Sequence, residues 1–293
     1  MAVNDMSKAP QPVKAAHDRA DRVHSAFPLL TDVMNPDDPY CFLICSFDDD
    51  PELLAARADG INPATQRFGF PAYRIDEIPA PDNVIEATRR HIADADFVIA
   101  DLTGQKPNCY YEVGYAHALG RPVIHIMRAT EEPQFNVSGL QFIKYRDPGH
   151  LREQLQRHIL THVLTTHGPA TDLQDNKGQF GRRAFRDPFV VTGRVREDPD
   201  SSDGDLSFLI DLRVRSVDPK RPLRGRVTFR LHETFETRHH TVHVTKRGDR
   251  EAILTDIQSL GTFTVGVTLH QHGVQLEIDL SQLPGAGSEF RKR

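Results

Sequence analysis

The sequence contains no tryptophan and only three cysteines among its 293 residues. The cysteines, Cys41, Cys45 and Cys109, lie in apolar segments and show no CxxC spacing, so we expect buried reduced thiols rather than disulfides or metal ligands. No run of about eighteen apolar residues and no signal-peptide pattern is present, which predicts a soluble cytoplasmic protein without a membrane span. The formal net charge of −5 argues against general binding of nucleic acids.

Histidines are comparatively numerous, with 15 in the chain, and five lie close together in the C-terminal part: His239, His240, His243, His270 and His272. In an alternating strand His239 and His243 share one face, whereas His240 points away. No cysteine or paired carboxylate is near them in the sequence, as a structural metal site would require. Surface histidines are therefore favoured, and no metal or cofactor is predicted.

The pattern of apolar residues divides the chain into four parts. Residues 1–35 are polar and rich in alanine and proline, and are predicted to be a flexible leader. Over residues 36–167 buried strands alternate with amphipathic helices, which predicts an α/β domain with a doubly wound parallel sheet. Residues 168–186 lack periodicity and are predicted to be a linker. Short alternating strands fill residues 187–293, as is typical of an antiparallel β-sandwich.

The same periodicity predicts where the individual elements lie. In the α/β part, strands are expected at 40–47, 72–75, 97–102, 123–127 and 142–145. A helix capped by Asp82 or Asn83 is expected to bury a face formed by Val84, Ile85, Thr88 and Ile92. In the β part, strands are expected at 189–195, 206–217, 226–235, 239–246, 261–270 and 274–280.

Two carboxylates in the segment 96–127, a predicted strand–helix–strand unit, are candidates for catalysis. The helix is expected over 109–119 with Asn108 as its N-cap. At about 100° per residue Glu112 falls on its apolar face, where a carboxylate is costly unless it is paired or has a function. Asp101 ends the preceding strand, at the sheet edge where ligands bind. The alternative is that Asp101 caps the loop and Glu112 pairs with a neighbouring arginine or tyrosine.

Residues 39–146 resemble the TIR-like and nucleoside 2-deoxyribosyltransferase-like superfamily. The resemblance rests on four segments: Cys45–Phe47, Arg74–Ile78, Ala100–Gly104 and the uninterrupted run Pro107–Gly120. It implies a flavodoxin/TIR-like sheet and cleavage of the N-glycosidic bond of nucleosides or of NAD⁺. Many bacterial members resemble effectors that deplete NAD⁺ during phage infection. The essential glutamate of the family corresponds to Glu112, and an aspartate that helps the leaving base in the transferases corresponds to Asp101.

Several further side chains are candidates for contacting a substrate. Arg74 could hold a phosphate or orient Glu112 with its forked guanidinium, or it could simply pair with Asp76 or Glu77. The aromatic side chains could pack against ribose or base, or could belong to the core. The candidate substrate-binding residues are Ser46, Phe47, Arg74, Asp76, Thr103, Asn108, Tyr111 and Tyr115.

Residues 188–285 resemble the YEATS fold in its prokaryotic form, through Arg230–Phe235 and Ser259–Val265. The resemblance implies an immunoglobulin-like sandwich. Eukaryotic YEATS domains read acylated lysine between aromatic side chains, but here Leu260 occupies the place of the stacking aromatic. We therefore expect a sensor or adaptor of different specificity, with a protein or a modified peptide as candidate ligand. The residues that correspond to the ligand loops are His232, Thr234, Phe235, Gly261 and Phe263.

Together these features predict an NAD⁺ glycohydrolase that uses Glu112 and forms a homo-oligomer on activation, and the resemblance alone implies a role in antiviral defence. NAD⁺ is then a substrate and not a cofactor. The enzymatic alternative is a nucleoside or nucleotide 2-deoxyribosyltransferase or hydrolase, which needs the same carboxylate. An alternative of another class is a non-catalytic nucleotide-binding signalling module. Two carboxylates at the site count against that module, because a binder of anionic nucleotides gains nothing from them.

Overall fold

The computed structural model describes residues 38–78, 83–167, 176–201, 206–245 and 250–292. The predicted leader and Asp82 lie outside these ranges. Within them the first half of the chain forms a five-stranded parallel sheet with the order β2-β1-β3-β4-β5. The strands are β1 (Cys41–Ile44), β2 (Ala72–Tyr73), β3 (Phe97–Asp101), β4 (Val123–Arg128) and β5 (Phe142–Tyr145).

Four helical elements cover both faces of this sheet. They are α1 (Pro51–Ala55 and Asn62–Gln66, joined by the π-helical segment Ala56–Ile61), α2 (Val84–Asp94), α3 (Pro107–Ala118) and α4 (Pro148–His158, continued by the π-helical segment Ile159–Val163). Helices α1 and α4 pack together over the side chains of Cys41 and Leu43. Helices α2 and α3 cover Phe42 and Ile44 on the other face. Alternate residues of β1 thus enter two different cores, so the strand is apolar throughout.

Two details of α2 and α3 differ from the sequence-based prediction. Asn83 caps α2 as expected and accepts hydrogen bonds from the amides of Ile85 and Glu86. The prediction that Val84 and Ile85 face the sheet is wrong, because both side chains are exposed on the first turn of the helix, while Thr88 and Ile92 are buried. Only the later turns of α2 reach the sheet.

The helix α3 begins two residues earlier than predicted. Lys106 is its N-cap and Pro107 its first residue, so the prediction of Asn108 as the N-cap is wrong. Proline is favoured at this first position, because its fixed φ angle suits the helix and its missing N–H would have no helical partner there. The earlier start leaves Glu112 in the second turn of the helix.

The second half of the chain forms two antiparallel sheets with the orders β10-β9-β12-β13 and β11-β8-β7-β6. The six predicted strands are present. Strands β9 and β12 are shorter than predicted, since residues 231–235 and 261–263 are loops, and β8 and β10 are shorter as well. Two strands, β6 and β11, were not predicted. The strands are β6 (Phe185–Arg186), β7 (Phe189–Glu197), β8 (Phe208–Ser216), β9 (Gly225–Arg230), β10 (His239–Val244), β11 (Glu251–Ser259), β12 (Thr264–Leu269) and β13 (Val274–Asp279).

The described part of the predicted linker, residues 176–186, packs onto the second half of the chain. The Asn176 amide donates hydrogen bonds to the carbonyl oxygens of Arg230, Leu231 and Thr264 at 2.9–3.1 Å. The fully buried Glu277 carboxylate accepts three backbone N–H groups from the segment, at 2.7–3.1 Å. This segment is therefore anchored by buried side chains. Residues 168–175 lie outside the described ranges.

The two halves of the chain share one hydrophobic core. Phe68 before β2 and Phe185 of β6 contact edge to face, with ring centroids 4.8 Å apart. The Arg121 guanidinium donates to the Leu283 carbonyl at 3.1 Å. A short C-terminal helix, α5 (Ser288–Lys292), closes the second half. Within the described ranges, no helix has the length and apolar character needed to cross a bilayer.

Candidate functional site

The strand order creates a crevice at the carboxyl ends of β1 and β3. The chain passes from β1 outward to β2 and then returns to place β3 on the other side of β1. In open parallel sheets such a reversal opens a space beyond the strand ends, where ligands bind. Ser46 and Phe47 follow β1, Asp101 ends β3, and α3 starts from the loop after Asp101. The sequence-predicted carboxylates therefore lie at this crevice.

Glu112 is a half-buried carboxylate without a counter-charge. It lies next to the buried residues Cys109 and Val113 of α3. Burial raises the pKa of its carboxyl group to about 7. Among the described residues it has no hydrogen-bond or ion-pair partner, so the alternative of pairing with an arginine or tyrosine is not observed there. A desolvated, unpaired carboxylate in a crevice is typical of a functional residue.

Two cysteine thiols lie close to the charged residues of the crevice. Burial raises the pKa of the Cys109 thiol to about 12, and the negative charges of Glu112 and Asp101 add to that effect. Burial likewise raises the pKa of Cys45 to about 11, where the positive charge of Arg74 opposes the shift and Asp101 adds to it. Asp101, Glu112 and Arg74 thus lie close enough to these two thiols to influence their pKa values, and both cysteines are free.

Asp101 is buried and both of its carboxylate oxygens accept hydrogen bonds. Oδ1 accepts the backbone N–H of Thr103 at 3.0 Å, and Oδ2 accepts the Tyr145 hydroxyl at 2.9 Å. Burial nonetheless raises the pKa of Asp101. The loop that follows has left-handed backbone at Gly104 and Gln105, with φ of 74° and 52°. Asp101 therefore organises this loop, which is the structural alternative that the sequence allowed.

Arg74 is held by an ion pair and is not free to meet a ligand. Its guanidinium forks onto the Asp76 carboxylate with two contacts of 2.6 Å and donates to the Ser46 carbonyl at 3.2 Å. The same guanidinium lies 4.9 Å from the centre of the Phe47 ring. The pairing alternative for Arg74 and Asp76 is therefore observed. The pair fixes the chain segment that carries Ser46 and Phe47.

The Arg74–Asp76 ion pair is expected to stabilise the fold measurably. In a double-mutant cycle with Arg74→Gln and Asp76→Asn, we expect a coupling free energy of about 1–2 kcal/mol, because the arginine is largely buried and the contact is bidentate. The measurement is chemical denaturation of the four proteins. The exposed pair Lys292–Glu289 is a matched control, with an expected coupling below about 0.5 kcal/mol. Equal coupling free energies in both cycles would contradict the inference that the Arg74–Asp76 pair fixes the segment of Ser46 and Phe47.

Tyr111 and Tyr115 of α3 contact an arginine that the sequence analysis did not identify. Arg89 of α2 donates to the Tyr111 hydroxyl at 2.5 Å, and its guanidinium lies 5.6 Å from the centre of the Tyr115 ring. Tyr111 is 55% exposed. The sequence gave no reason to select Arg89, because it becomes a neighbour of Tyr111 and Tyr115 only through the packing of α2 against α3.

The remaining predicted substrate-binding residues occupy different positions. Thr103 is buried, and its hydroxyl accepts the backbone N–H of Arg128 at 3.1 Å, so it supports the loop. Asn108 is exposed at the start of α3, away from the buried face. Ser46 is buried and accepts the amide of Asp48 at 3.1 Å, whereas Phe47 is 55% exposed. Of these four residues, Phe47 and Asn108 are exposed, and Phe47 is the aromatic one.

The two loops of the second half that correspond to the YEATS ligand loops lie side by side. The rings of Phe235 and Phe263 are 5.1 Å apart, and the His232 ring is 6.3 Å from Phe263. His232 Nδ1 also lies 3.0 Å from the Thr234 hydroxyl. Leu260 beside them is 64% exposed. The structure thus brings together the residues of both loops around Phe263, and the Gly261 carbonyl accepts the hydroxyl of the buried Ser259 at 2.7 Å.

No histidine, cysteine or carboxylate cluster in the described part of the chain is arranged to hold a metal ion. His239 and His243 occupy exposed positions of β10, and His240 lies between them, half-buried. The His240 ring contacts the carbonyl of Thr237 at 3.0 Å. These positions agree with the alternation expected of the strand.

Comparisons with known proteins do not identify a family. No family model matches the chain, and no curated protein does. Among solved structures, a β-glucosidase from Listeria innocua gives a TM-score of 0.28 at 12% identity over 85% of this chain and 47% of that chain. A β-glucosidase from Erythrobacter marinus gives 0.28 at 11% identity over 86% and 48%. The chain spans about half the length of these enzymes, and TM-scores this low carry no inference about fold or activity.

Proposed function

We propose that this protein is an NAD⁺ glycohydrolase whose catalytic residue is Glu112. The proposal rests on one observation above all, the half-buried Glu112 carboxylate that has no partner among the described residues and whose pKa burial raises to about 7. Leaving such a group unpaired destabilises the fold, so a function is the simplest reason for its presence. The proposal is also supported by the resemblance of residues 39–146 to the TIR-like and deoxyribosyltransferase-like superfamily, in which the essential glutamate corresponds to Glu112.

The proposed chemistry makes direct use of the surroundings of Glu112. When nicotinamide leaves NAD⁺, positive charge develops on the ribose as an oxocarbenium-like centre. An ionised carboxylate beside that centre lowers the barrier, and more so in a crevice from which water is partly excluded. Nicotinamide departs as a neutral molecule and needs no strong acid. Water then adds to the ribose carbon and releases a proton, which gives ADP-ribose. Asp101, with both oxygens engaged by Thr103 and Tyr145, holds the loop at the start of α3.

The dinucleotide has aromatic and cationic groups to contact near Glu112. Phe47 is exposed and could stack on the nicotinamide or the adenine ring. Arg89, between Tyr111 and Tyr115, is the cation best placed for the pyrophosphate, since Arg74 is occupied by Asp76. This assignment replaces Arg74 as the candidate phosphate ligand.

The biological setting follows from the resemblances. The sheet order β2-β1-β3-β4-β5 is the one expected of a flavodoxin/TIR-like domain, and the two antiparallel sheets suit an immunoglobulin-like, YEATS-like sandwich. In the proposal the first domain depletes NAD⁺ in antiviral defence, and the second senses the trigger. Assembly into a homo-oligomer accompanies activation.

Product analysis of the purified protein tests the reaction type. The protein is incubated at high concentration with NAD⁺, and separately with a deoxynucleoside and a free base, and the products are separated by liquid chromatography. The proposal predicts nicotinamide and ADP-ribose from NAD⁺, with no transfer to the base. Exchange of the base on the deoxynucleoside, without release of nicotinamide, would instead establish the transferase. Tight nucleotide binding by titration calorimetry without any turnover would establish the signalling module.

A further inference from the structure

A broad cleft lies on the surface where the two halves of the chain meet, at the edge of the parallel sheet opposite Glu112. Its volume is about 780 Å³, within the range of about 300–1,000 Å³ typical of small-molecule sites. One wall comes from the end of α1 and the C-terminal half of α4, and the other from β6 and the start of β13. Since α1 leads to the amino end of β2, this wall lies at the amino-terminal edge of the sheet.

Four arginines line this cleft without partners of their own. They are Arg67, Arg157, Arg183 and Arg186, and all four are exposed. None of their guanidinium groups forms a hydrogen bond or ion pair with another described residue. Like charges gathered without counter-ions repel one another, so this arrangement favours an external anion.

The carboxylates of the cleft do not neutralise these arginines. Two acidic residues line it, Glu153 and Asp187. Asp187 already accepts from Arg221 at 2.6 Å, and Arg221 stands outside the arginine set. Only Glu153 is left to oppose four positive charges, so the cleft has a net positive charge.

A second cavity continues the cleft along the β part. Its volume is about 420 Å³, and it shares Arg186 and Val274 with the first cavity before reaching His270 and Gln275. Arg186 therefore lines both cavities, and Arg157 belongs to the opposite wall of the first. Cationic groups on both walls suit an anion with more than one charged centre.

We propose that this arginine cleft binds a small molecule that carries at least two phosphate groups, such as a nucleoside di- or triphosphate. The guanidinium fork matches phosphate oxygens in a bidentate manner, and arginine is the preferred side chain for this recognition. The buried rings of Phe68 and Phe185 form an apolar floor, against which a ribose or base can pack. The inference does not depend on the reaction at Glu112.

Isothermal titration of the full-length protein tests this site, with ATP and inorganic pyrophosphate as probes and orthophosphate and citrate as comparators. The expected result is saturable binding of ATP and pyrophosphate at one site, with orthophosphate and citrate at least about tenfold weaker. Arg157→Ala and Arg186→Ala are each expected to weaken ATP binding about tenfold, since each removes a charge-assisted contact. Glu153→Gln is expected to tighten it.

Arg152→Ala is the matched control, because Arg152 is exposed on the same helix α4 but does not line the cleft. Its affinity for ATP should equal that of the unsubstituted protein. Circular dichroism of every variant shows whether the fold is retained, as expected for exposed side chains. Absence of binding at millimolar ATP, equal binding in the Arg157→Ala and Arg186→Ala variants, or equal affinity for citrate would each overturn the proposal.

Discussion

Replacing Glu112 by glutamine is expected to lower the release of nicotinamide from NAD⁺ by about a hundredfold or more. Glutamine has nearly the same shape but no negative charge to stabilise the oxocarbenium-like ribose. Asp101, the other predicted catalytic carboxylate, is engaged by Thr103 and Tyr145 and is not expected to take its place. The measurement is the initial rate of nicotinamide formation at saturating NAD⁺, beside Glu197→Gln, an exposed glutamate on β7, whose rate should be unchanged.

The same Glu112→Gln variant is expected to be more stable than the unsubstituted protein at alkaline pH. The pKa of Glu112 is raised from 4.5 to about 7 in the folded state by burial. Its contribution to stability is therefore fully present below about pH 4.5 and is lost as the pH rises through 7. One pKa unit corresponds to about 1.36 kcal/mol. The free energy of unfolding of the Glu112→Gln variant should therefore exceed that of the unsubstituted protein by up to about 3 kcal/mol at pH 8, and should equal it at pH 4.

Denaturation of both proteins at pH 4 and pH 8 measures this difference. A variant that loses activity and gains stability at pH 8 has a folded site without its catalytic charge. A variant that loses activity because it is misfolded would show lower stability at both pH values, and that result would remove the support for a catalytic Glu112.

Replacing Asp101 by alanine is expected to destabilise the protein by about 3 kcal/mol. Asp101 is 2% exposed, and its loss leaves the backbone N–H of Thr103 without its acceptor and the Tyr145 hydroxyl with the long 3.4 Å contact to the Thr103 hydroxyl in place of a 2.9 Å hydrogen bond. Each buried, unsatisfied polar group costs about 1–3 kcal/mol. The measurement is the free energy of unfolding from chemical denaturation at pH 7.

Asp101→Asn is the matched control for this position. The amide oxygen can still accept from Thr103, and the Tyr145 hydroxyl can rotate to accept from the amide nitrogen. We therefore expect most of the stability to return, together with more activity than in Glu112→Gln. An asparagine variant that is stable but as inactive as Glu112→Gln would show that Asp101 acts on the substrate directly.

The position of Glu112 could be predicted from the sequence because it depends on a single helix. Helical spacing alone places it on the same face as Cys109, Val113 and Ala116, which are buried. The ion pair of Arg74 with Asp76 was equally accessible as an alternative, since the two residues are close in the chain. Local patterns of this kind also predict the positions of most strands and helices.

The contacts that the sequence did not reveal join elements far apart in the chain. Tyr145 reaches Asp101 because β4 alone separates their strands in the sheet, and Arg89 reaches Tyr111 because α2 and α3 are neighbours on one face. The strand β11 was missed for another reason. A register shift between Leu254 and Ile257 interrupts its alternation, and Asp256 within it has a φ of 59°, so its apolar residues do not follow a period of two.

The most direct test of the account is the rate of nicotinamide release from NAD⁺ between pH 5 and pH 9. An ionised Glu112 with a pKa of about 7 predicts a rate that rises with pH and levels off near pH 8, with a single apparent pKa close to 7. The Glu112→Gln variant should show no such rise. A rate that is independent of pH over this range, or a glutamine variant with the full rate and the same profile, would contradict the assignment of Glu112 as the catalytic carboxylate.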